Sequence, residues 1–439
     1  VFSFSTYVPS RLRRLCAGLL LTGVTAATQA SDAVEEVVVT AEFRPVTAAE
    51  VPGSVSVLNP DANGDLINHL DELLSRAANV NLTSGASRAR FIQIRGIGER
   101  SQFVEPLNPS VGLLVDGVDL SGLGGAATLF DVQQVEVLRG PQGTLDGANA
   151  LAGLINVVTP DATDDLSGFL QIDGGNYGAR GVGAVLSGAV TDEVGFRISA
   201  RQYQDDGFID NIHLNRDDTN ARDERSLRAK VQGKSDAGSW QLAVGSVDVD
   251  NGYDAFSLDN DRNTRSDEPG RDAQESSYVA FNASRALTGA VIGEVALGWV
   301  DSEIAYGYDE DWTFEGFHPY GYSSTDLYLR DVETRTADLR LLSAPEQGLL
   351  DGKVDWVLGL FVLNKEVDFI RDYTYAGGLF TSDFGADRVA LYGEVATDLT
   401  SSWRVSLGLR AEQHESDYSD SADVRFAPDD DMTGGRLLV

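Results

Sequence analysis

From about residue 160 onward the chain alternates apolar and polar positions. In "VGFRISARQ", Val194, Phe196, Ile198 and Ala200 alternate with Gly195, Arg197, Ser199 and Arg201. In "WRVSLGLRAE", Trp403, Val405, Leu407 and Leu409 alternate with Arg404, Ser406, Gly408 and Arg410. A period of two gives each strand one apolar and one polar face. Ahead of residue 160 the pattern is mixed. "DLINHLDELLSRA" (residues 65–77) puts Leu66, Ile67, Leu70, Leu73, Leu74 and Ala77 on one helical face, with His69 on the polar side as a solvated histidine. The short β-like runs "FIQIRG", "SVGLLVDGV", "VQQVEVLRG" and "GLINVVT" follow. This part reads as an α+β unit over residues 46–160, and residues 161–439 read as β throughout.

Connection lengths separate a soluble β-protein from a membrane barrel. Short turns at residues 191–193, 234–238, 287–290, 344–353 and 399–402 alternate with long acidic stretches at 205–224, 251–275, 304–330, 371–386 and 417–431. A tight connection near residues 176–178 is the exception. Turns at one end and long loops at the other are the pattern of an outer-membrane barrel, whose apolar face meets lipid and whose polar face lines the lumen. About eleven strands are legible, and "MTGGRLLV" begins a twelfth. A barrel must close, so further strands are expected C-terminal to this sequence. The expected fold class is an all-β transmembrane antiparallel β-barrel, present in part, carrying an N-terminal α+β domain.

The N-terminus adds a compartment. Arg11, Arg13 and Arg14 precede the apolar "LCAGLLLTGV", and "ATQA" supplies small residues before a cleavage point after Ala30. That is an export signal over residues 1–30, whose ten-residue apolar run is too short to cross a ~30 Å hydrocarbon core. The only cysteine, Cys16, lies inside it, so the mature chain has neither disulfide nor thiolate metal site. Lys+Arg 34 against Asp+Glu 68 gives a net charge of −34, a surface that repels nucleic acid.

Candidate chemistry is thin. The glycine-rich "GPQGTLDGANA" (residues 140–150) has no phosphate-loop lysine, and "RGIGERS" lacks the third glycine of a dinucleotide fingerprint. His69, His213, His318 and His414 form no H-E-x-x-H pair, and there is no G-x-S-x-G elbow. "DVDNGYDAFSLDNDRN" resembles a calcium loop in composition only, because Gly252 falls at position 5 where the loop needs 6; a solvated acidic loop is the reading preferred. No catalytic residue, cofactor or metal site is expected.

Four segments carry a resemblance. "EEVVVTAEFR", "FIQIRGIGERSQF", "SVGLLVDGVDL" and "VEVLRGPQGTLDGANALAGLINVVT" resemble, in order and spacing, the signatures of the TonB-dependent outer-membrane receptors. Asp146 stands where that family has tyrosine, and Ala152 where it often has glycine. The resemblance implies a TonB box and linker at residues 31–45, a plug domain at 46–160 and barrel thereafter. It makes the glycine-rich segment plug scaffold, and it marks Arg95 and Arg139 as plug–barrel contacts. Glu35, Glu36, Val37, Val38, Val39, Thr40 and Ala41 become the TonB-binding strand, able to add to a partner's sheet edge through main-chain bonds; an ordinary first plug strand is the alternative. The box begins soon after the cleavage point, which favours transport over transcriptional signalling.

The implied function is import of a scarce bulky ligand, a ferric siderophore first, driven by the periplasmic domain of TonB and its inner-membrane energising complex. A glycan, cobalamin or haem cargo stays open. So does a passive porin or adhesin, which would need no box and no plug. Plug apices near residues 84–88, 99–103 and 120–125 would meet the ligand, with Arg88, Arg100, Gln102 and Phe103 as contacts. The expectation is a non-enzymatic, multi-pass, monomeric protein of the Gram-negative outer membrane, in contact with lipid and a small-molecule chelate and with no nucleic acid.

Overall fold

The computed structural model describes residues 2–7, 38–39, 43–44, 46–49, 51, 53–60, 67–83, 86–99, 110–123, 128–142, 150–375, 377–400 and 403–439. The N-terminal strands are β1 (Phe2–Tyr7), β2 (Val38–Val39), β3 (Val46–Thr47), β4 (Ser54–Leu58), β5 (Val80–Thr83), β6 (Phe91–Ile94), β7 (Val111–Val115), β8 (Val118–Asp119), β9 (Gln134–Arg139) and β10 (Gly153–Val158). One short helix, α1 (Leu70–Leu74), sits between β4 and β5. Strands β4-β9-β10-β7-β8 form one five-stranded sheet, in which β10 and β7 run parallel. Its core is aliphatic: Leu70, Leu73 and Leu74 of α1 pack with Ile94, Leu113, Val118, Val135, Val137 and Ile155.

The helix is shorter than its apolar spacing predicts. His69 is its N-cap, with extended backbone (φ −136°), and accepts from Asp71 N–H, so the helix cannot run further back. Asn68 is drawn into tertiary bonds, its carbonyl to Leu129 N and its side chain to Arg201. His69 is not the solvated residue expected: it is 1% exposed.

Around this domain runs a wall of long antiparallel strands: β11 (Ser167–Gly174), β12 (Arg180–Ala189), β13 (Val194–Asp205), β15 (Arg222–Ser235), β16 (Gly238–Tyr253), β18 (Gly270–Ala286), β19 (Val291–Asp309), β20 (Thr325–Ser343), β21 (Val354–Tyr373), β22 (Gly378–Thr400), β23 (Trp403–Asp420) and β25 (Asp429–Leu438). Short pieces β14 (Asp210–Asn211), β17 (Asn263–Thr264) and β24 (Arg425–Phe426) lie in the connections. Each long strand pairs with the next in sequence, as in an up-and-down barrel. Phe2–Tyr7, read from sequence as part of the export signal, runs antiparallel to β11.

Register settles the two faces of the wall. Leu170, Val182, Ile198, Leu227, Leu242, Leu297, Leu339, Leu360, Leu391 and Leu409 all point outward and are exposed, a band of apolar surface that only lipid would cover. Trp240, Trp299 and Trp403 share this outer face. Strands β15, β16 and β18 to β23 run past the 9–13 residues that the hydrophobic alternation marks; β22 has 23 residues. Two expected loops shrink accordingly. Residues 304–330 reduce to a connection between Asp309 and Thr325, and 371–386 to a tight hairpin after Tyr373. Beyond the lipid band the strands continue on backbone pairing through stretches richer in polar and charged residues, where the period-two signal fades.

The wall reserves space for the inner domain. A Cβ at Gly183 of β12 would stand 2.5 Å from the Phe130 ring, so glycine is what lets Phe130 seat on this strand. Gly183→Leu should unseat Phe130 at a cost of about 1–3 kcal/mol, in the range of core overpacking. The expected outcome is a trypsin-sensitive inner domain inside a barrel whose heat-modifiable migration is unchanged; equal protease resistance would show that Phe130 is not a docking point.

Candidate functional site

The plug and the wall meet through charge. Arg88, on the segment between β5 and β6, is buried: its Nε and one terminal nitrogen reach the two carboxylate oxygens of Glu224 on β15 at 2.7 Å each, and the other terminal nitrogen reaches Glu72 at 3.1 Å. Burial alone would lower the Arg88 pKa, but Glu224 and Glu72 win and hold the guanidinium firmly charged. Burial would likewise raise Asp71, yet its bonds to His69 and Ala89 and the charge of Arg88 hold that carboxyl well below the ordinary range. A depressed carboxyl stabilises the fold above its usual titration range, and that contribution fades only in stronger acid.

Four further contacts repeat the motif around the circumference. Arg90 pairs with Asp272 on β18, whose other oxygen accepts from Ser87 N–H (2.8 Å) and Ser87 Oγ (2.5 Å). Arg201 of β13 holds Asp173 at 2.9 Å and Asn68 at 2.5 Å, and lies over the Phe130 ring. Arg197 grips Asp131, and Lys230 of β15 donates to Thr159 O and lies 3.7 Å from Asp116. Charged pairs this dry attract strongly, but much of that attraction offsets the loss of water. Their effect is directional: remove one partner and the other is stranded.

These positions correct the expected contacts. Arg139 was expected to reach the wall, but it bonds inside the plug, to Ala78 O (2.9 Å) and Ser56 Oγ (2.8 Å). Burial first, then the nearby positive charge of Arg95, lowers the Arg139 pKa. Arg95 is exposed beside Gly140, with its backbone in the left-handed region (φ 55°) and its N–H on Asn79 O. The turn at Arg95 thus leaves its guanidinium beside Gly140 of the plug. Arg88, expected as a ligand contact, sits instead in the plug–wall seam. Arg100, Gln102 and Phe103 lie outside the described residues, as do Glu35, Glu36, Val37, Thr40 and Ala41.

Val38 and Val39 are described. They pair with Thr47 and Val46, and Gln134 donates to Val38 O at 2.8 Å. Val39 is fully buried and Val38 is exposed. Just downstream the chain is anchored to the wall. The Phe43 ring stacks on Tyr392 (5.4 Å, 9°) under the guanidinia of Arg340 and Arg436, and Arg44 donates to Ser343 O and Oγ at 2.8 and 2.9 Å.

At the loop end, above the plug, the inner wall turns aromatic. Tyr253, Tyr306, Tyr328 and Phe369 form one cluster with Ala86 of the plug, and Phe256, Tyr308 and Phe380 pack against it. Arg330 lies 4.8 Å from the Phe369 ring centroid, and Arg371 5.1 Å from that of Tyr328. Asp326 organises the rim, taking two bonds from Arg371 (2.8 and 2.7 Å) and one from Tyr328 Oη (2.9 Å). The sequence reading missed this aromatic cluster. Its only trace was the parity of Tyr306, Tyr328, Arg330, Phe369 and Arg371, hidden inside stretches read as loop.

A domain of mixed strands clamped by ion pairs inside a wall of lipid-facing strands defines a plugged β-barrel receptor. Comparison with known proteins agrees. Residues 47–154 match the TonB-dependent Receptor Plug Domain family. The pesticin receptor of Yersinia enterocolitica is 25% identical over 414 residues, covering 90% of this chain and 58% of the receptor. The ferric enterobactin receptor PirA of Pseudomonas aeruginosa is 29% identical over 175 residues, 34% of this chain and 22% of PirA. Among solved structures, the ferric yersiniabactin uptake receptor FyuA from Yersinia pestis superposes with a TM-score of 0.71 at 20% identity, over 89% of this chain and 61% of that one. The ferripyoverdine receptor of Pseudomonas aeruginosa gives 0.70 at 16%, over 91% and 56%. The chain carries a TonB-dependent receptor plug domain followed by barrel strands. It spans 58% of the pesticin receptor's length.

Glu224→Gln should leave Arg88 charged in a dry seam and cost about 3–5 kcal/mol of plug docking. Glu224→Met with Arg88→Met should recover much of that loss. Hydrogen exchange across residues 67–99 is the readout: fast exchange in the single variant and slow in the double is expected, and equal exchange in both would refute the pairing.

Proposed function

We propose that this chain is the ligand-receiving and gating part of an energised importer in the Gram-negative outer membrane, and that its cargo is a ferric chelate bearing anionic, aromatic groups. The aromatic cluster with Arg330 and Arg371 above the plug supports this reading most strongly. Flat π-faces suit aromatic chelating groups, while a guanidinium over a ring offers a cationic patch in an otherwise acidic protein. The receptors it is similar to include ones named for ferric yersiniabactin, ferripyoverdine and ferric enterobactin, which favours an iron chelate over a glycan, cobalamin or haem.

Energy enters through residues 35–41. In this reading Glu35 and Glu36 keep the strand from pairing indiscriminately, and Val37, Val38 and Val39 add to a sheet edge of the periplasmic TonB domain. Val38 and Val39 must leave their partners at residues 46–47 to do so. Pull is then passed to Phe43 and Arg44 and on to the plug. The outer apolar band is the lipid contact, and binding, coupling and gated passage replace any catalysis. Arg100, Gln102 and Phe103 remain candidates for ligand contact from the plug side. A passive porin is the rival reading, and a buried plug with an ordered Val38–Val39 strand argues against it.

Binding tests the cargo class. Tyrosine and tryptophan fluorescence of the purified receptor, titrated with a ferric tris-catecholate, should show saturable quenching. Arg330→Ala with Phe369→Ala should weaken it about tenfold or more, equivalent to about 1.4 kcal/mol. Saturable quenching by haem or cobalamin alone, or an undiminished variant, would contradict the assignment.

A further inference from the structure

At the loop end, three strand connections are tied to one another. The connection from β13 to β15 carries β14, and the one from β16 to β18 carries β17; these two pieces pair in parallel, and Asn211 Nδ2 donates to Ser266 O at 2.9 Å. The β16–β18 connection then meets the one between β19 and β20. Asp267 N–H donates to Thr313 O at 3.0 Å, and Asp267 Oδ2 accepts from Glu315 N–H at 3.1 Å. His213 stacks on Phe314 (4.0 Å, 7°), so all three connections converge on residues 309–315.

Acidic side chains meet at this junction. Asp309, the last residue of β19 and beyond the lipid band, is 5% exposed. Its Oδ1 accepts from Asp311 N–H and Trp312 N–H at 3.2 Å each, while its Oδ2 has no partner. Asp311 brings a second carboxyl against it, Asp267 faces it from the neighbouring connection, and Ser266 lies beside it. Ser266 is 2% exposed and its Oγ completes no hydrogen bond, nor does Asp267 Oδ1. Two carboxylates have no hydrogen to give each other, whereas a carboxylic acid has one.

The neighbouring charges are engaged elsewhere. Asp311 accepts from Thr313 Oγ1 (2.9 Å) and Ser324 N–H (3.2 Å), and Glu310 takes Ser324 Oγ (2.6 Å). Arg265, next to Ser266, pairs with Asp259 at 2.9 Å, and Arg371 holds Asp326. Burial first, then contact with Asp311 and the negative charges of Asp311 and Asp267, push the Asp309 carboxyl up to about 7, against the lowering effect of Ser266. A carboxyl raised in this way stabilises its surroundings below the ordinary carboxyl range, and that contribution is lost as pH rises through about 7.

The junction also carries the outer layer of the aromatic cluster. Trp312, held by Asp309 in the left-handed region (φ 61°) and partly exposed, stacks on Phe256 (4.9 Å, 4°). Phe256 packs in turn against Tyr253 (5.7 Å) and Tyr308 (5.4 Å). We infer that Asp309, Asp311 and Asp267 form a proton-operated latch. Protonated, it holds the β16–β18 and β19–β20 connections together and keeps the Phe256–Trp312 pair on the cluster; deprotonated, its carboxylates repel and release the pair. Among the described residues no group of acids or histidines is spaced to hold a metal ion, and a proton is the ligand that fits this junction. The latch rests on the cargo reading above only in taking the cluster as the ligand's seat, and its closure is measurable without cargo.

Spin labels at Leu258→Cys and Tyr320→Cys, both exposed positions on the two connections, report their separation in the full chain with Cys16→Ser. The distance distribution should be narrow at about pH 5 and broader and longer at about pH 8.5, with a midpoint near 7. Asp309→Asn keeps an acceptor for the two N–H groups and supplies the missing donor, so it should stay narrow at both. Asp267→Asn removes one repelling charge and should move the midpoint about one pH unit toward acid. His213→Phe keeps the stack on Phe314 and should leave the transition in place. A wild-type distribution that ignores pH, a transition surviving in Asp309→Asn, an unmoved midpoint in Asp267→Asn, or a transition lost in His213→Phe would overturn the latch. Narrowing at alkaline pH on addition of calcium chloride would make the ligand a cation and overturn it too. Connections that respond as stated in a receptor showing no quenching by ferric tris-catecholate would support the latch and count against the cargo reading.

Discussion

A charged group buried without its partner is costly, and that constraint organises this molecule. Arg88 with Glu224, Arg90 with Asp272, Lys230 with Asp116 and Arg197 with Asp131 all lie where water is scarce. Such pairs add little net stability compared with a well-packed apolar seam, but they permit few wrong arrangements. They fix the plug's rotation inside the wall, because a small turn would strand several charges together. An apolar seam would hold as firmly and specify less. It would also present greasy surface to a polar solute whenever it opened.

This seam joins two ends that do different things. At the loop end Ala86 brings the plug into the aromatic cluster, and Ser87, Arg88 and Arg90 bind wall carboxylates within the next four residues. A ligand that shifted this segment would therefore disturb the ion pairs directly. At the turn end, the chain just beyond Val38–Val39 is pinned by Phe43 on Tyr392 and Arg44 on Ser343. Force on the N-terminal segment would meet Gln134 of β9 at Val38 and then this anchor on the wall.

Much of this architecture was written plainly in the sequence. Alternation at residues 194–201 and 403–410 marked the strands and correctly put Arg197 and Arg201 on the inner face. The runs around residues 132–138 and 154–158 became β9 and β10. What stayed hidden depends on partners far along the chain. Nothing local distinguishes Arg88, which meets Glu224, from Arg139, which stays with Ala78 and Ser56. The tyrosines and arginines of the aromatic cluster sit in polar stretches where alternation fails, so strands β19 to β22 looked shorter than they are. His69 looked solvated on a helix that its own side chain terminates.

The central claim is that the buried, clamped plug is worked from outside the barrel through the segment at residues 31–44. Pull-down of a peptide of that sequence by purified periplasmic TonB domain, beside its Val38→Pro version, tests this most directly. Proline removes a backbone donor from the strand and should abolish pairing. Capture of the native peptide and loss of the variant is the expected result. Capture of neither, or of both alike, would make Val38–Val39 an ordinary plug strand and contradict the energised importer.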